Sequence, residues 1–302
     1  MRHFTPTKNL RNSPIHLANR VLPLLFALIF CHGAKGVSEQ GADGNGSPGK
    51  GVITVRSDIW FPYSGKPGDE REGFGLEMMR IIFGEAGYEV DYQLVPWKRA
   101  LEDARTGVID SVIGATRSEA EGLKIPVESL GKARTFLFTL KNHPWKYKGA
   151  QSLEMVRLTG ILGYDYGSEV SGYLEKHRFD PERVDLMGGL NAFEKNLWKL
   201  ERGVVDVIPE DPDVFHSQIQ LLGRDPKNFR VAGELQDEFE VFLAFSECAG
   251  SGENLVKIWD EGVQRIRENG TLEKILGRYG LSDWKKVGVL APDHRTPAQA
   301  NP

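Results

Sequence analysis

The side chains in this sequence that could do chemistry stand next to segments that read as strand ends. Val204–Ile208 (VVDVI) has the pattern of a buried strand and runs into Pro209-Glu210-Asp211-Pro212-Asp213. An acid at a strand end, facing a closed cleft, selects cations through a charge-assisted hydrogen bond; the alternative is a charged surface loop. Glu210 and Asp211 invite an acid–base reading. Adjacent residues seldom point the same way, however, and no nucleophile or partner base accompanies them. Gly163-Tyr164-Asp165-Tyr166-Gly167-Ser168 follows a second strand-like segment and precedes a helix. A helix start suits an anion through its dipole and its free amides, although Ser168 could equally be an ordinary N-cap. Trp60, Tyr63 and Trp97 could stack on a flat or cationic ligand, or could simply edge a core. Histidines 143, 177, 216 and 294 are scattered without metal-ligand spacing, and GxSxG, phosphate-loop and HExxH motifs do not occur, so neither a metal nor a cofactor is expected.

The elements that must position these residues alternate between strand and helix. Val52–Arg56 (VITVR) is a β-branched strand. Gly75–Ala86 places Leu76, Met79, Ile82 and Phe83 at helical spacing, and Gly87 stops it. Val90–Val95 is extended, Trp97–Arg105 is an amphipathic helix ended by Gly107, and Ile109–Ile113 is a buried strand. The order then repeats: strand Leu158–Leu162, helix around Gly172–His177, strand Val184–Met187, helix Phe193–Glu201 and strand Val204–Ile208. Phe239–Phe245 is one more strand, Leu255–Asn269 a long helix stopped by Gly270, and Leu272–Tyr279 the last helical stretch. Two βαβαβ halves in tandem predict an α/β fold of two lobes. Open α/β sheets bind ligands beyond the carboxyl ends of their strands, so two facing edges make a clamp that closes by hinge motion.

The first 36 residues differ from the rest. They carry Arg2, Lys8, Arg11, Arg20 and Lys35 and no acid, followed by a 10-residue apolar run, Val21–Phe30, and small residues. That order is the pattern of a secretory signal peptide, and the run is half of the ~20 residues that span a bilayer. Cys31 raises a lipoprotein alternative, but lipid-attachment sites read Leu-small-small-Cys and Phe30 is bulky. Removing the five basic residues from the chain's 38 leaves 33 against 42 acidic ones, a net −9. With no basic patch, nucleic-acid binding is not expected. Residues 37–51 read as a Gly-rich flexible linker and residues 289–302 as a disordered tail.

Several segments match one family in order and spacing. Trp60-Phe61-Pro62-Tyr63 is followed by Gly73-Phe74-Gly75-Leu76-Glu77, then by Trp97, Leu101 and Gly107-Val108-Ile109-Asp110; Leu200 with Gly203-Val204-Val205-Asp206 repeats the last pattern, and Ile266–Leu281 closes it. Over roughly Val52–Lys285 the chain resembles extracellular solute-binding proteins of family 3, whose best-studied members serve polar-amino-acid ABC transporters. The resemblance implies a type II periplasmic-binding-protein fold. Lobe 1 would be 52–139 with 242–288 and lobe 2 would be 140–241, joined by crossover strands Thr135–Lys141 and Glu240–Phe245. It implies a periplasmic, monomeric protein that captures a small polar, amino-acid-like ligand for ABC transporter membrane subunits and performs no catalysis. In this family an arginine after the first lobe's Gly-x-x-Asp strand grips the ligand carboxylate through two parallel bonds. Here Thr116 and Arg117 remain, but Glu121 stands where a second arginine would be, and Arg117 could also be a solvated loop residue. Arg134 is a further candidate, read as structural. Asp211 matches the family's ammonium-pairing carboxylate, and Tyr164, Tyr166 and Ser168 lie in its anion-binding turn. Two rival functions are a lyase or dehydratase on the same fold and a sensor serving a separate receptor.

Overall fold

A computed structural model describes residues 50–286 except Ala249. The expected signal peptide, Cys31, nearly all of the linker, His294 and the C-terminal tail lie outside the described residues. The last linker residue, Gly51, belongs to the first strand, where it pairs with Tyr88.

In lobe 1, β1 (Gly51–Ser57) runs parallel to β2 (Tyr88–Leu94) on one side and β3 (Ser111–Ala115) on the other. Helices α1 (Phe74–Glu85) and α2 (Trp97–Arg105) connect them, with the boundaries of α2 as the amphipathic pattern predicts. The apolar residues of α1 recur every three or four positions, and Phe74, Leu76, Met79, Ile82 and Phe83 are all buried. They pack with β1 and with Trp259 and Val263 of α6 (Gly252–Glu268) in one core. The two helices approach closely at Gly262, where a Cβ would come within 2.3 Å of Ile82 Cγ2. Beyond it, α7 (Thr271–Gly277) adds Leu272, Ile275 and Leu276 to the same core.

In lobe 2, β6 (Leu158–Ile161) pairs in parallel with β7 (Val184–Met187), and helices α3 (Ser168–Lys176) and α4 (Ala192–Glu201) flank them. The crossovers are β5 (Gly131–Leu140) and β9 (Phe229–Ser246), longer than the sequence suggests, paired antiparallel from Gly131–Val241 to Leu140–Phe229. The far end of β9 enters the lobe 1 sheet between β3 and the short β4 (Leu123–Lys124), antiparallel to both, while β5 pairs with β8 (Ile208–Glu210) in lobe 2. Register shifts between Arg134 and Phe136 and between Leu137 and Phe138 interrupt the ribbon between the lobes. Such irregularities bend and twist a strand pair.

The expected strand Val204–Ile208 is displaced. Only Val207 bridges to Leu158, and regular pairing begins at Ile208. The acidic run is divided: Pro209 and Glu210 end β8, and Asp211-Pro212-Asp213 starts a helix, α5 (Pro212–Leu221). The Asp211 side chain accepts from the Asp213 and Val214 amides and Pro212 occupies the first turn, which is a strong N-terminal signal that outweighs the loop-like composition.

Candidate functional site

The carboxyl ends of β1, β3, β6 and β8 converge between the lobes. Each is followed at once by a residue of one cavity: Asp58 after β1, Thr116 after β3, Tyr164 shortly after β6 and Asp211 after β8. About 430 Å³ there is not filled by atoms, part of it open to solvent. Trp60, Trp97, Glu119, Arg134, Thr135, Asp165, Tyr166, Glu210 and Phe239 complete the polar and aromatic lining.

Five carboxyl groups line this space, and each is held by donors of the protein, Asp165 by the Gly167 amide and the Ser171 hydroxyl. Asp58 accepts from the Tyr164 hydroxyl at 2.8 Å, across the cleft. Glu210 accepts the Trp60 indole N–H at 3.0 Å, again across the cleft, and the Asp211 amide at 2.9 Å on the same oxygen. Glu119 accepts the Trp97 indole N–H at 3.0 Å and the Asp165 amide at 3.0 Å on one oxygen, and the Thr116 amide at 2.8 Å on the other. Asp211 accepts from Asp213 at 2.9 Å, Val214 at 3.2 Å and the Arg134 amide at 3.1 Å. Burial outweighs these donors: it pushes Asp58, Glu119 and Asp211 up to about 7 and Glu210 up to about 8. Among the described residues no group of three or more His, Cys, Asp or Glu is placed to hold a metal ion.

The residues singled out from sequence do not all meet here. Trp60, Trp97, Thr116, Tyr164, Tyr166 and Asp211 line the cavity. Tyr63 lies behind Trp60, its ring stacked at 4.1 Å and its hydroxyl donating to the Lys132 carbonyl. Arg117 points away: its largely exposed guanidinium lies 4.5 Å over the Phe242 ring and 3.6 Å from Glu240. Ser168 is exposed and caps nothing, because Gly167 holds the N-cap position of α3. The hydroxyl that serves that turn is Ser171, which accepts from the Tyr166 amide at 2.8 Å. Glu210 and Asp211, adjacent in sequence, both reach the cavity, since one ends a strand and the next caps a helix. Asp58 and Glu119 escaped the sequence reading. Asp58 carried a signal, being the first residue beyond the carboxyl end of a strand. Glu119 carried a local one, the Thr116-x-x-Glu119 spacing of a capping box, whose reciprocal bonds form at 2.8 and 3.2 Å, but its bonds to Trp97 and Asp165 carried none.

A profile of the bacterial extracellular solute-binding proteins, family 3, matches residues 53–282. The arginine-binding extracellular protein ArtP of Bacillus subtilis (strain 168) is 24% identical over 258 residues, covering 79% of this chain and 94% of ArtP. A histidine kinase sensor domain similar to periplasmic binding proteins superposes with a TM-score of 0.63 at 17% identity, covering 81% of this chain and 99% of that one. An ABC uptake transporter substrate-binding protein from Streptococcus pneumoniae, with bound histidine, superposes with a TM-score of 0.61 at 16% identity, over 76% of this chain and 92% of that one. These superpositions show the type II periplasmic-binding fold.

Proposed function

Because the chain belongs to the bacterial extracellular solute-binding proteins, family 3, we propose that it captures a small cationic solute between its lobes and hands it on chemically unchanged. The observation that carries this reading is the charge of the cavity wall: among the described residues its lining holds five acids, Asp58, Glu119, Asp165, Glu210 and Asp211, and one basic residue, Arg134. An ammonium or guanidinium entering there satisfies carboxyls that otherwise hold protons near neutral pH. Trp60 and Trp97 offer aromatic surface beside it. In this reading the protein is exported by its N-terminal leader, and the recipient is the membrane part of an ABC transporter.

A thermal-shift screen over amines, amino acids, sugars and organic acids, followed by calorimetry, tests it. Cations should stabilise the protein, and Glu210→Gln should weaken binding by roughly 30- to 4,000-fold, the range for losing a buried charge-assisted bond of about 2–5 kcal/mol. Stabilisation by sugars or organic anions alone rules the reading out. One feature favours a second reading: carboxyls pushed to about 7 and 8 in a cleft also suit acid–base catalysis. Bound solute recovered unchanged after prolonged incubation, by NMR, separates capture from catalysis.

A further inference from the structure

We infer that Glu119 fills, with its own side chain, the donor set a ligand carboxylate would use, so that the captured solute is an amine or guanidine without a carboxylate. The inference rests on the cation-capture reading above and narrows its ligand class. Three N–H groups from three elements converge at the mouth of the cavity: the Thr116 amide at the end of β3, the Asp165 amide in the turn after β6, and the indole N–H of Trp97 at the start of α2. Two lobes contribute to the set. A carboxylate is the group that answers such convergent donors, and the Glu119 carboxyl already takes all three, at 2.8, 3.0 and 3.0 Å.

Further donors beside the cleft are held by acids in the same way. Just before α3, Asp165 Oδ1 accepts the Gly167 amide at 2.9 Å and the Ser171 hydroxyl at 3.1 Å. Its second oxygen accepts from Ser118 of lobe 1. The start of α5 is closed by Asp211. Among the described residues the one basic member of the cavity lining is Arg134, whose guanidinium lies 5.3 Å from the Phe136 ring and which shares the lining with five acidic residues. A ligand carboxylate placed there would add a like charge to that set, an unfavourable arrangement in a poorly solvated site. Arg117, the other arginine near this edge, is turned onto Phe242 and Glu240.

Calorimetry on matched pairs tests the inference with the purified protein. Agmatine and L-arginine, cadaverine and L-lysine, and histamine and L-histidine share a cationic end and differ in the α-carboxylate. In at least one pair the carboxylate-free member should bind at least about tenfold more tightly. Glu119→Ala opens the three donors and should narrow or reverse that preference. Glu119→Gln, which keeps an acceptor oxygen and the side-chain volume, should leave the preference on the side of the amine, and it serves as the folded control. Amino acids that bind as tightly as their amines overturn the inference but leave cation capture standing. Failure of all six cations to bind overturns both. An unaltered preference in Glu119→Ala removes Glu119 from the explanation.

Discussion

Four of the five cavity carboxyls make ligand binding and stability depend on pH in a definite direction. Burial raises Asp58, Glu119 and Asp211 to about 7 and Glu210 to about 8, from ordinary values of 3.8 for Asp and 4.5 for Glu. The groups that face them are the hydroxyl of Tyr164, the indoles of Trp60 and Trp97, the Arg134 amide, and the acids Asp165 and Asp213. The folded protein thus holds protons that the unfolded chain releases near pH 4. Their contribution to stability is complete below the ordinary carboxylate values and is lost as pH rises through 7 to 8. A bound cation favours the ionised form of the same groups and offsets that loss. Thermal melts with and without a saturating cation should show a ligand-induced shift that grows between about pH 6 and pH 8.5. A shift independent of pH across that window would mean that the carboxyls do not exchange protons for the ligand.

The elements of lobe 1 are tied together by a second set of charges, far from the cleft. Arg267 on α6 donates to Asp283, beyond α7, at 2.8 Å and to Glu128, before β5, at 3.0 Å. Lys285 adds a bond to Glu128 at 2.7 Å. Indole N–H groups brace the same corner, Trp259 to the Glu128 carbonyl and Trp284 to the Ser129 hydroxyl. Against burial, which pulls the other way, the bonds from Lys285 and Arg267 hold the Glu128 carboxyl below its usual range. Glu128 and Asp283 are each only 5% exposed, so removing the guanidinium leaves the Asp283 charge buried without its cation and Glu128 with Lys285 alone. Arg267→Ala should cost about 3–5 kcal/mol in urea unfolding at pH 7. A loss below about 1 kcal/mol would place this network with ordinary surface pairs.

Across the whole molecule, the lobes meet through a few directional bonds. Tyr164 bonds Asp58, Trp60 bonds Glu210, the Asp165 amide bonds Glu119, and Gln218 bonds the Ile59 carbonyl at 3.1 Å. The chain crosses between lobes in β5 and β9, whose register shifts lie between the two sheets and supply the bend for a hinge. A bridging solute and these bonds should favour the same closed arrangement. Small-angle scattering should show a smaller radius of gyration with saturating cation than without it. The double variant Trp60→Phe, Tyr164→Phe, which deletes two of the bridges, should be larger than the wild type in the absence of ligand. Equal radii in all three cases would dispose of the hinge.

Local pattern determined much of this protein. The 3.6-residue spacing in α1, α2 and α4, the β-branched run of β1 and the glycine stops are local facts, and two α/β lobes follow from their order, whereas the two crossovers were implied by the family resemblance. The N-terminus of α5 was legible too, in Asp211-Pro212, though the acidic composition concealed it. The aromatic and strand-end residues Trp60, Trp97, Thr116, Tyr164, Tyr166 and Asp211 could be picked out one by one. What tertiary structure alone decided is which way each side chain points and which donors it meets. β3 begins at Ser111 rather than Ile109 and shifts register between Ile113 and Ala115, and Arg117 just beyond it turns away from the cleft. At a strand end, small changes of register move a side chain from one face to the other. Glu119 pairs with Thr116 locally, but Asp165 and Trp97, its other donors, are brought to it only by folding. The near-neutral carboxyls arise from burial between lobes, a property of the assembled cleft that no local run of residues carries.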